Sequence, residues 1–334
     1  LGALCLMRLV RRDDPRWWVA FGAVAGVGLL TKLTILFFGL AVVGGALLTP
    51  RRRDFRTRWP WLGGALAALG LLPYALWNAA NGWPTVAFWG NYGGLSGGGP
   101  VGFFADQLLT VNPANLVIIV AGLVFYFRGR VGKPWRMLGW AYVILYLLLT
   151  LINAKSYFLT PIYPMLYAGG ALLLDWKMET PRWRWARLAY PAFVALLALL
   201  LAPLAMPVLP PPTYAARYGW LTGAGNSADG QGQSVFPQYL GDRFGWDTMT
   251  ASVARAYASL PADQRAQACI FTQNYGEASA LTVLGRADHL PPVISGHNNY
   301  WIWGPGACSG AVLLTVGATQ ADDALTYGSV RQVG

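Results

Sequence analysis

The sequence predicts a polytopic α-helical membrane protein, with about seven complete transmembrane helices plus one partial one, and a small C-terminal α/β extracytoplasmic domain. Three observations carry that prediction. Of 334 residues, 55% are hydrophobic and only 12% are charged, roughly half the charge of a soluble domain. Apolar runs of spanning length or nearly so recur at 17–31, 33–49, 60–77, 113–127, 137–153, 157–174 and 188–208. After Pro207 the texture changes: LPPPTYAARYGW reads as a linker, and residues 215–334 carry eight acidic residues against six Arg. The expected division is therefore 1–208 in the membrane and 209–334 in water.

Taken in order, Leu1 to Val10 reads as the tail of a helix begun upstream, with no initiator Met, basic leader or cleavage site. The chain is thus expected to be a fragment. A helix needs about 20 residues to cross the hydrocarbon, fewer where the bilayer thins. The runs 17–31 and 33–49 are short, and one helix broken at Lys32 is the alternative to two. Charge decides between them. Most of the 25 Lys and Arg lie in four clusters: Arg8, Arg11, Arg12 and Arg16; Arg51, Arg52, Arg53, Arg56 and Arg58; Arg128, Arg130, Lys133 and Arg136; Lys177, Arg182, Arg184 and Arg187. Cytoplasmic loops carry such clusters, so an even number of crossings separates the first two. A hairpin with Lys32 at its outer apex meets that condition. Alternation then puts 78–112 outside, 154–156 outside, and everything after about 209 outside, with all four clusters inside. The net charge of +11 is topology, and a nucleic-acid partner is excluded on its distribution.

The C-terminal part alternates helix (Met249 to Leu260), strand (Cys269 to Thr272), helix (Gly276 to Leu284), short strand (Val293 to Ser295), strand (Ala311 to Val316) and helix (Gln320 to Tyr327). That order predicts a largely parallel α/β unit. Cys269 and Cys308 both fall in it, so a disulfide and two buried thiols are both open readings.

Few residues can carry chemistry. Lys32 and Lys155 are solitary cations at outer helix ends, and ionisable groups at membrane depth are costly. Each either snorkels as an end marker or, with Tyr157 and Tyr163 near Lys155, holds an anionic head group such as a phosphate. The uncharged stretch 76–100 offers Trp77, Asn78, Asn81, Trp83, Trp89, Asn91 and Tyr92. Its aromatics serve either an interfacial belt or a sugar platform, and the Gly-rich tail from Gly93 to Gly99 would let it move. Asp106, the one carboxylate between Asp54 and Asp175, reads as a helix cap. SGHNNYWIWGPG (295–306) reads as a turn-rich packing segment dense in aromatics and amides. The two histidines, His289 and His297, lie in the C-terminal part, and HExxH, CxxC and carboxylate clusters are absent from the sequence. No metal site is assigned; a divalent metal is left open.

Several segments read together resemble one family. They are GVGLLTKLT (26–34), PYALWNAANGWPTVAFW (73–89), DQLLTVNP (106–113), KSYFLTPIYPMLYAGGA (155–171), NYGEASAL (274–281) and SGHNNYWIWGP (295–305). In this order they resemble the bacterial branch of the protein O-mannosyltransferase-like glycosyltransferases, family 39 type, related to the lipid A aminoarabinose transferase. The resemblance implies a multi-pass enzyme of the bacterial inner membrane. It would move a sugar from a polyprenyl-phosphate donor to a lipid or protein acceptor at the outer face, with inversion. It implies a general base in a first outer loop upstream of Leu1, so this chain by itself is expected to be inactive. The family's Lys-Tyr-Pro segment near the donor phosphate matches Lys155, Tyr157 and Pro161, with Phe158 as the alternative to Tyr157. Lys32 matches the family's Leu-Thr-Lys, here Leu30, Thr31 and Lys32. Relatives place a histidine near 81–92, where this chain has Asn81, Asn91 and Tyr92. Two other classes remain: a transporter or flippase of lipid-linked saccharides, although the halves show no internal repeat, and a scaffold presenting the outer domain.

Overall fold

A computed structural model describes residues 1–92, 99–222, 236 and 238–333. Two compact units divide between Gln233 and Ser234. The first holds eleven α-helices among its described residues: α1 (Gly2–Arg12), α2 (Trp17–Thr31), α3 (Ile35–Leu47), α4 (Trp59–Ala80), α5 (Pro84–Tyr92), α6 (Gly99–Thr110), α7 (Leu116–Arg128), α8 (Arg136–Leu151), α9 (Tyr163–Met178), α10 (Ala186–Ala205) and α11 (Pro211–Thr222). The expected linker is thus helical: α11 starts on prolines, which the first helical turn tolerates because its N–H groups have no partner anyway.

All seven apolar runs are helical. Four helical stretches, Trp59–Ala80, Lys133–Leu151, Ser156–Met178 and Pro181–Ala205, are long and apolar enough to cross a membrane. The count rises to six if Ile35–Leu47 with Pro50–Arg56, and Gly99–Thr110 with Pro113–Arg128, each form one bent span. The remaining run is the 15-residue α2. α10 exposes Leu188, Phe193, Leu196, Leu199 and Leu200, a face suited to lipid and costly in water.

The interior is made by close helix pairs, α2 on α4, α3 on α8 and α7 on α9, around Leu6, Leu9, Trp18, Val42, Leu145, Leu149, Leu159 and Leu166. Small residues set these approaches, as lipid offers little hydrophobic drive for helix association. A Cβ built on Gly63 would lie 2.3 Å from the Trp18 carbonyl oxygen, and one on Gly22 would lie 2.0 Å from the Gly63 oxygen. Gly64, one position on, has nothing within 4 Å. Gly63→Leu is expected to destabilise the unit by about 3 kcal/mol, the upper end of the overpacking range, with Gly64→Leu near neutral. Thermal unfolding in detergent checks this; equal melting temperatures would mean that α2 and α4 do not touch through their backbones.

The four basic clusters gather at one end of this unit. Arg51 pairs with Asp13 at 2.8 Å and the Arg16 guanidinium lies 5.5 Å from the Trp59 ring, so the first two clusters meet. Gly45 in α3 abuts the Met137 carbonyl in α8, which brings the third beside the second. The Phe125 and Trp176 rings are 6.0 Å apart, which brings in the fourth. Lys32 stands one length of α2 away, about 22 Å at 1.5 Å per residue.

The second unit contains α12 (Gln238–Gly241), α13 (Trp246–Ala258), α14 (Ala262–Arg265), β1 (Ala268–Thr272), α15 (Tyr275–Leu284), β2 (Val293–Ser295), α16 (Asn299–Trp303), β3 (Val312–Val316) and α17 (Gln320–Ala324). The sheet order is β2-β1-β3, and both pairings are parallel, Ile270 opposite Val293 and Leu314. Val253, Ile270 and Leu281 form its core, with Met249, Leu290 and Val316 packed around them. Asn274 caps α15, its side chain accepting from the Glu277 N–H at 3.0 Å.

Cys269 and Cys308 form a disulfide, with Cα atoms 5.9 Å apart. It ties the connection before β3 to the central strand. Cys308→Ala is expected to lower the stability of this unit by about 2–4 kcal/mol, given the long loop released in the unfolded chain. Faster amide exchange in β1 and β3 of the full chain would report the loss; unchanged exchange would mean that the bridge constrains nothing.

Candidate functional site

The stretch around Lys155, 153–166, folds as the joint between α8 and α9. Ile152 closes α8, Asn153 takes a left-handed φ of 51°, and Ser156–Ile162 forms a 3-10 turn with Lys155 as its N-cap residue. Pro161 lies in that turn and Pro164 in the first turn of α9. Proline costs least in a first helical turn, where Pro164 stands, since the amide donor it removes had no partner there.

Lys32 comes to this joint from 123 positions away in the chain. It breaks the chain between α2 and α3 with an extended backbone, φ −157° and ψ 124°. Its Nζ lies 4.8 Å from the centre of the Tyr157 ring and 5.3 Å from that of Phe158. The two rings meet edge to face at 4.8 Å. An ammonium over two aromatic faces is held by their quadrupoles while its donors stay available to a further partner. Lys32 and Tyr157 are exposed and Lys155 is half-buried. Three residues singled out separately in the sequence, Lys32, Lys155 and Tyr157, thus lie in one neighbourhood, with Phe158 beside them.

The joint is braced from α6. Gln107, 4% exposed, donates its amide to the Ser156 carbonyl at 2.7 Å and accepts from the Tyr163 hydroxyl at 2.7 Å. That single side chain fixes both ends of the 3-10 turn. Tyr163 stacks on Tyr167 at 6.0 Å, and its ring lies 6.2 Å from Tyr142. Asp106 does not cap its helix, because α6 begins at Gly99. It sits well inside α6. Gln107 lies in the DQLLTVNP segment of the family resemblance, but the motif assigns it no role at the site. The available signal was a buried-type position in an apolar helix occupied by an amide, which must find partners.

The stretch at 77–92 resolves differently. Asn78 lies in α4 and is 1% exposed. Its amide donates to the Tyr74 carbonyl at 3.0 Å, and its oxygen accepts from the Thr85 N–H at 3.3 Å. Asn81 donates to the Trp77 carbonyl at 2.8 Å. Both amides are committed to the turn joining α4 and α5, as the last carbonyls of a helix need donors. Trp77 and Trp83 are exposed, whereas the side chains of Trp89, Asn91 and Tyr92 lie outside the described residues. Among the described residues, no three His, Cys, Asp or Glu converge as metal ligands would.

A helical unit with four to six candidate spans and a polar joint between two of them defines a multi-pass membrane protein. Residues 1–77 match the family model for dolichyl-phosphate-mannose-protein mannosyltransferases. The chain is therefore similar, over α1 to most of α4 and including Lys32, to membrane glycosyltransferases of the mannosyltransferase kind. No curated protein and no solved structure gives a significant match.

Proposed function

We propose that the chain carries the donor-lipid site of a membrane glycosyltransferase, which moves a sugar from a polyprenyl-phosphate-linked donor to a lipid or protein acceptor at the outer membrane face. The observation that carries this reading is the convergence of Lys32 with Tyr157 and Phe158, beside Lys155. The match at residues 1–77 supports transfer rather than transport. In the transfer, the bond between the anomeric carbon and the phosphate oxygen breaks, and its electron pair leaves with the polyprenyl phosphate. The acceptor hydroxyl attacks from the opposite face and gives its proton to a base. Lys155 and Lys32 stabilise the charge that grows on the departing phosphate. Tyr157 orients Lys32 through its ring, and Gln107 holds the turn that carries both Lys155 and Tyr157.

Trp77 and Trp83 supply exposed faces for a sugar or acceptor ring, while Asn78 and Asn81 shape the turn that bears them. Asn91 and Tyr92 keep the sugar-contact role the sequence suggests. The Cys269–Cys308 bridge suits an oxidising compartment, in keeping with a C-terminal unit outside the cytoplasm and the four basic clusters on the cytoplasmic side. The test is transfer of radiolabelled sugar from a polyprenyl-phosphate donor by the full-length protein in proteoliposomes. Lys155→Ala and Lys32→Ala are expected to lose transfer at normal expression, and unchanged transfer by both variants rejects the clamp.

A further inference from the structure

The C-terminal unit carries a second feature that the donor site does not use. In a parallel sheet, ligands bind beyond the carboxyl ends of the strands, where neighbouring connections depart in opposite directions. The order β2-β1-β3 puts that point between β1 and β3. Three connections converge on this edge: 273–277 after β1, 296–301 after β2 and 317–319 after β3. Gly317, at φ +80°, lies where two of them approach. A Cβ there would lie 3.0 Å from the Gln273 side chain and 3.7 Å from Glu277 Oε1, so glycine lets the β3 connection pass close beside Gln273 and the carboxylate. The other Glu277 oxygen accepts from the Gln273 N–H at 3.2 Å, which fixes the group in place. On the β2 side, the Tyr275 ring is half exposed and meets His297 at 5.1 Å, nearly perpendicular. Trp301, on the short helix that the same connection feeds, is 72% exposed.

The charge on this edge selects the ligand. Segments 272–282, 293–303 and 312–320 contain no Lys or Arg, and Glu277 is the carboxylate beside Gly317. On these three segments a nucleotide, phosphate or carboxylate would meet the Glu277 charge and no cation. A lipid surface would meet aromatics interrupted by Gln273, Glu277, His297 and Asn298. Flat aromatic faces alternating with hydroxyl acceptors and donors suit a neutral polyol. We infer that the carboxyl edge of this sheet is a saccharide-binding site, with Tyr275 and Trp301 as stacking faces and Gln273, Glu277 and His297 as hydroxyl partners. Such a site would hold a neutral glycan chain independently of the donor phosphate, and the inference does not need the donor reading to hold.

The test is saturation-transfer difference NMR on the full chain in nanodiscs, with mannotriose and cellotriose as the two probes. At least one is expected to receive saturation in the millimolar range, and Tyr275→Ala or Trp301→Ala is expected to weaken binding by about tenfold. Glu277→Gln keeps the acceptor geometry and is expected to weaken it less. Lys32→Ala should bind normally, so failure of the donor clamp and failure of this site are separable. Amide exchange in β1 and β3 controls for folding of the variants. No transfer to either probe, or transfer unchanged in both aromatic variants, overturns the inference. So does quenching of Trp301 by brominated lipid in the same nanodiscs, with a Trp301→Phe variant identifying its signal, since that would place this edge against the membrane.

Discussion

Lys155→Ala in the full-length protein is expected to lower sugar transfer from a polyprenyl-phosphate donor by about 10²- to 10³-fold, the usual loss when one positioned donor to a developing oxyanion is removed. The loss should fall mainly on kcat. An ammonium that binds donor and departing phosphate equally would change KM alone; one that gains as charge builds on the phosphate oxygen changes kcat. Lys32→Ala is expected to act in the same direction by a smaller factor, because Lys32 lies over the Tyr157 and Phe158 rings and approaches from another helix pair. Tyr157→Phe retains the ring beneath the ammonium and should retain most activity, whereas Tyr157→Ala should resemble Lys32→Ala. If Tyr157→Phe loses as much as Tyr157→Ala, the hydroxyl and not the ring is the operative group. A Gln107→Leu variant that stays folded should reduce kcat while leaving acceptor KM unchanged, since Gln107 acts through the 156–163 turn.

Arg51→Ala is expected to destabilise the helical unit by about 3–5 kcal/mol, the cost of leaving a buried charge without its partner. The RRRDFR segment reads in sequence as a solvated cytoplasmic cluster, but Arg51 and Asp54 are both buried. Arg51 donates to the Val10 carbonyl at 3.3 Å, pairs with Asp13 at 2.8 Å and stands 3.6 Å from Asp54. Asp54, 2% exposed, also accepts from the Trp18 indole at 3.1 Å. This knot joins α1, α2 and the turn after α3. Arg51→Lys keeps the charge and loses the fork, so an intermediate loss is expected. The double variant Arg51→Met with Asp54→Asn should recover part of the loss, as neither charge is then stranded. A change below about 0.5 kcal/mol in Arg51→Ala, as for an ordinary surface substitution, would show that the knot is solvated.

The same knot has a pH signature. The hydrogen bond from Arg53 holds the Asp13 carboxyl below its ordinary range, with Coulombic help from Arg51 and Arg53. A carboxyl lowered in this way adds stability above its unfolded value, near 4, and the contribution disappears as pH falls through the lowered one. The group is largely exposed, so the effect is small and screened by salt.

Much of this architecture was legible in the sequence, for identifiable reasons. Seven apolar runs are helices because hydrocarbon-length segments must satisfy their own backbone hydrogen bonds. The strand Val293–Ser295 and the helix over 275–284 follow from β-branched runs, an Asn cap and punctuating glycines and prolines. Lys32, Lys155 and Tyr157 could be picked out because a lone cation beside an aromatic is conspicuous in apolar sequence. Other features turn on which partners the folded backbone supplies. Asn78 and Asn81 look like sugar ligands until Tyr74, Thr85 and Trp77 are seen to take their hydrogen bonds. Asp106 looks like a cap until the start of α6 is known.

The sequence by itself determined the helical runs, the grouping of basic residues and the α/β order of the C-terminal unit. These follow from local composition and period, which every residue carries with it. The tertiary structure alone decided that Lys32 meets Tyr157, that Gln107 braces the joint and that Arg51 is buried. It also decided that Cys269 reaches Cys308 and that three connections without Lys or Arg share one sheet edge. Each of these depends on a distance between residues far apart in the chain, and composition and period contain no such distance.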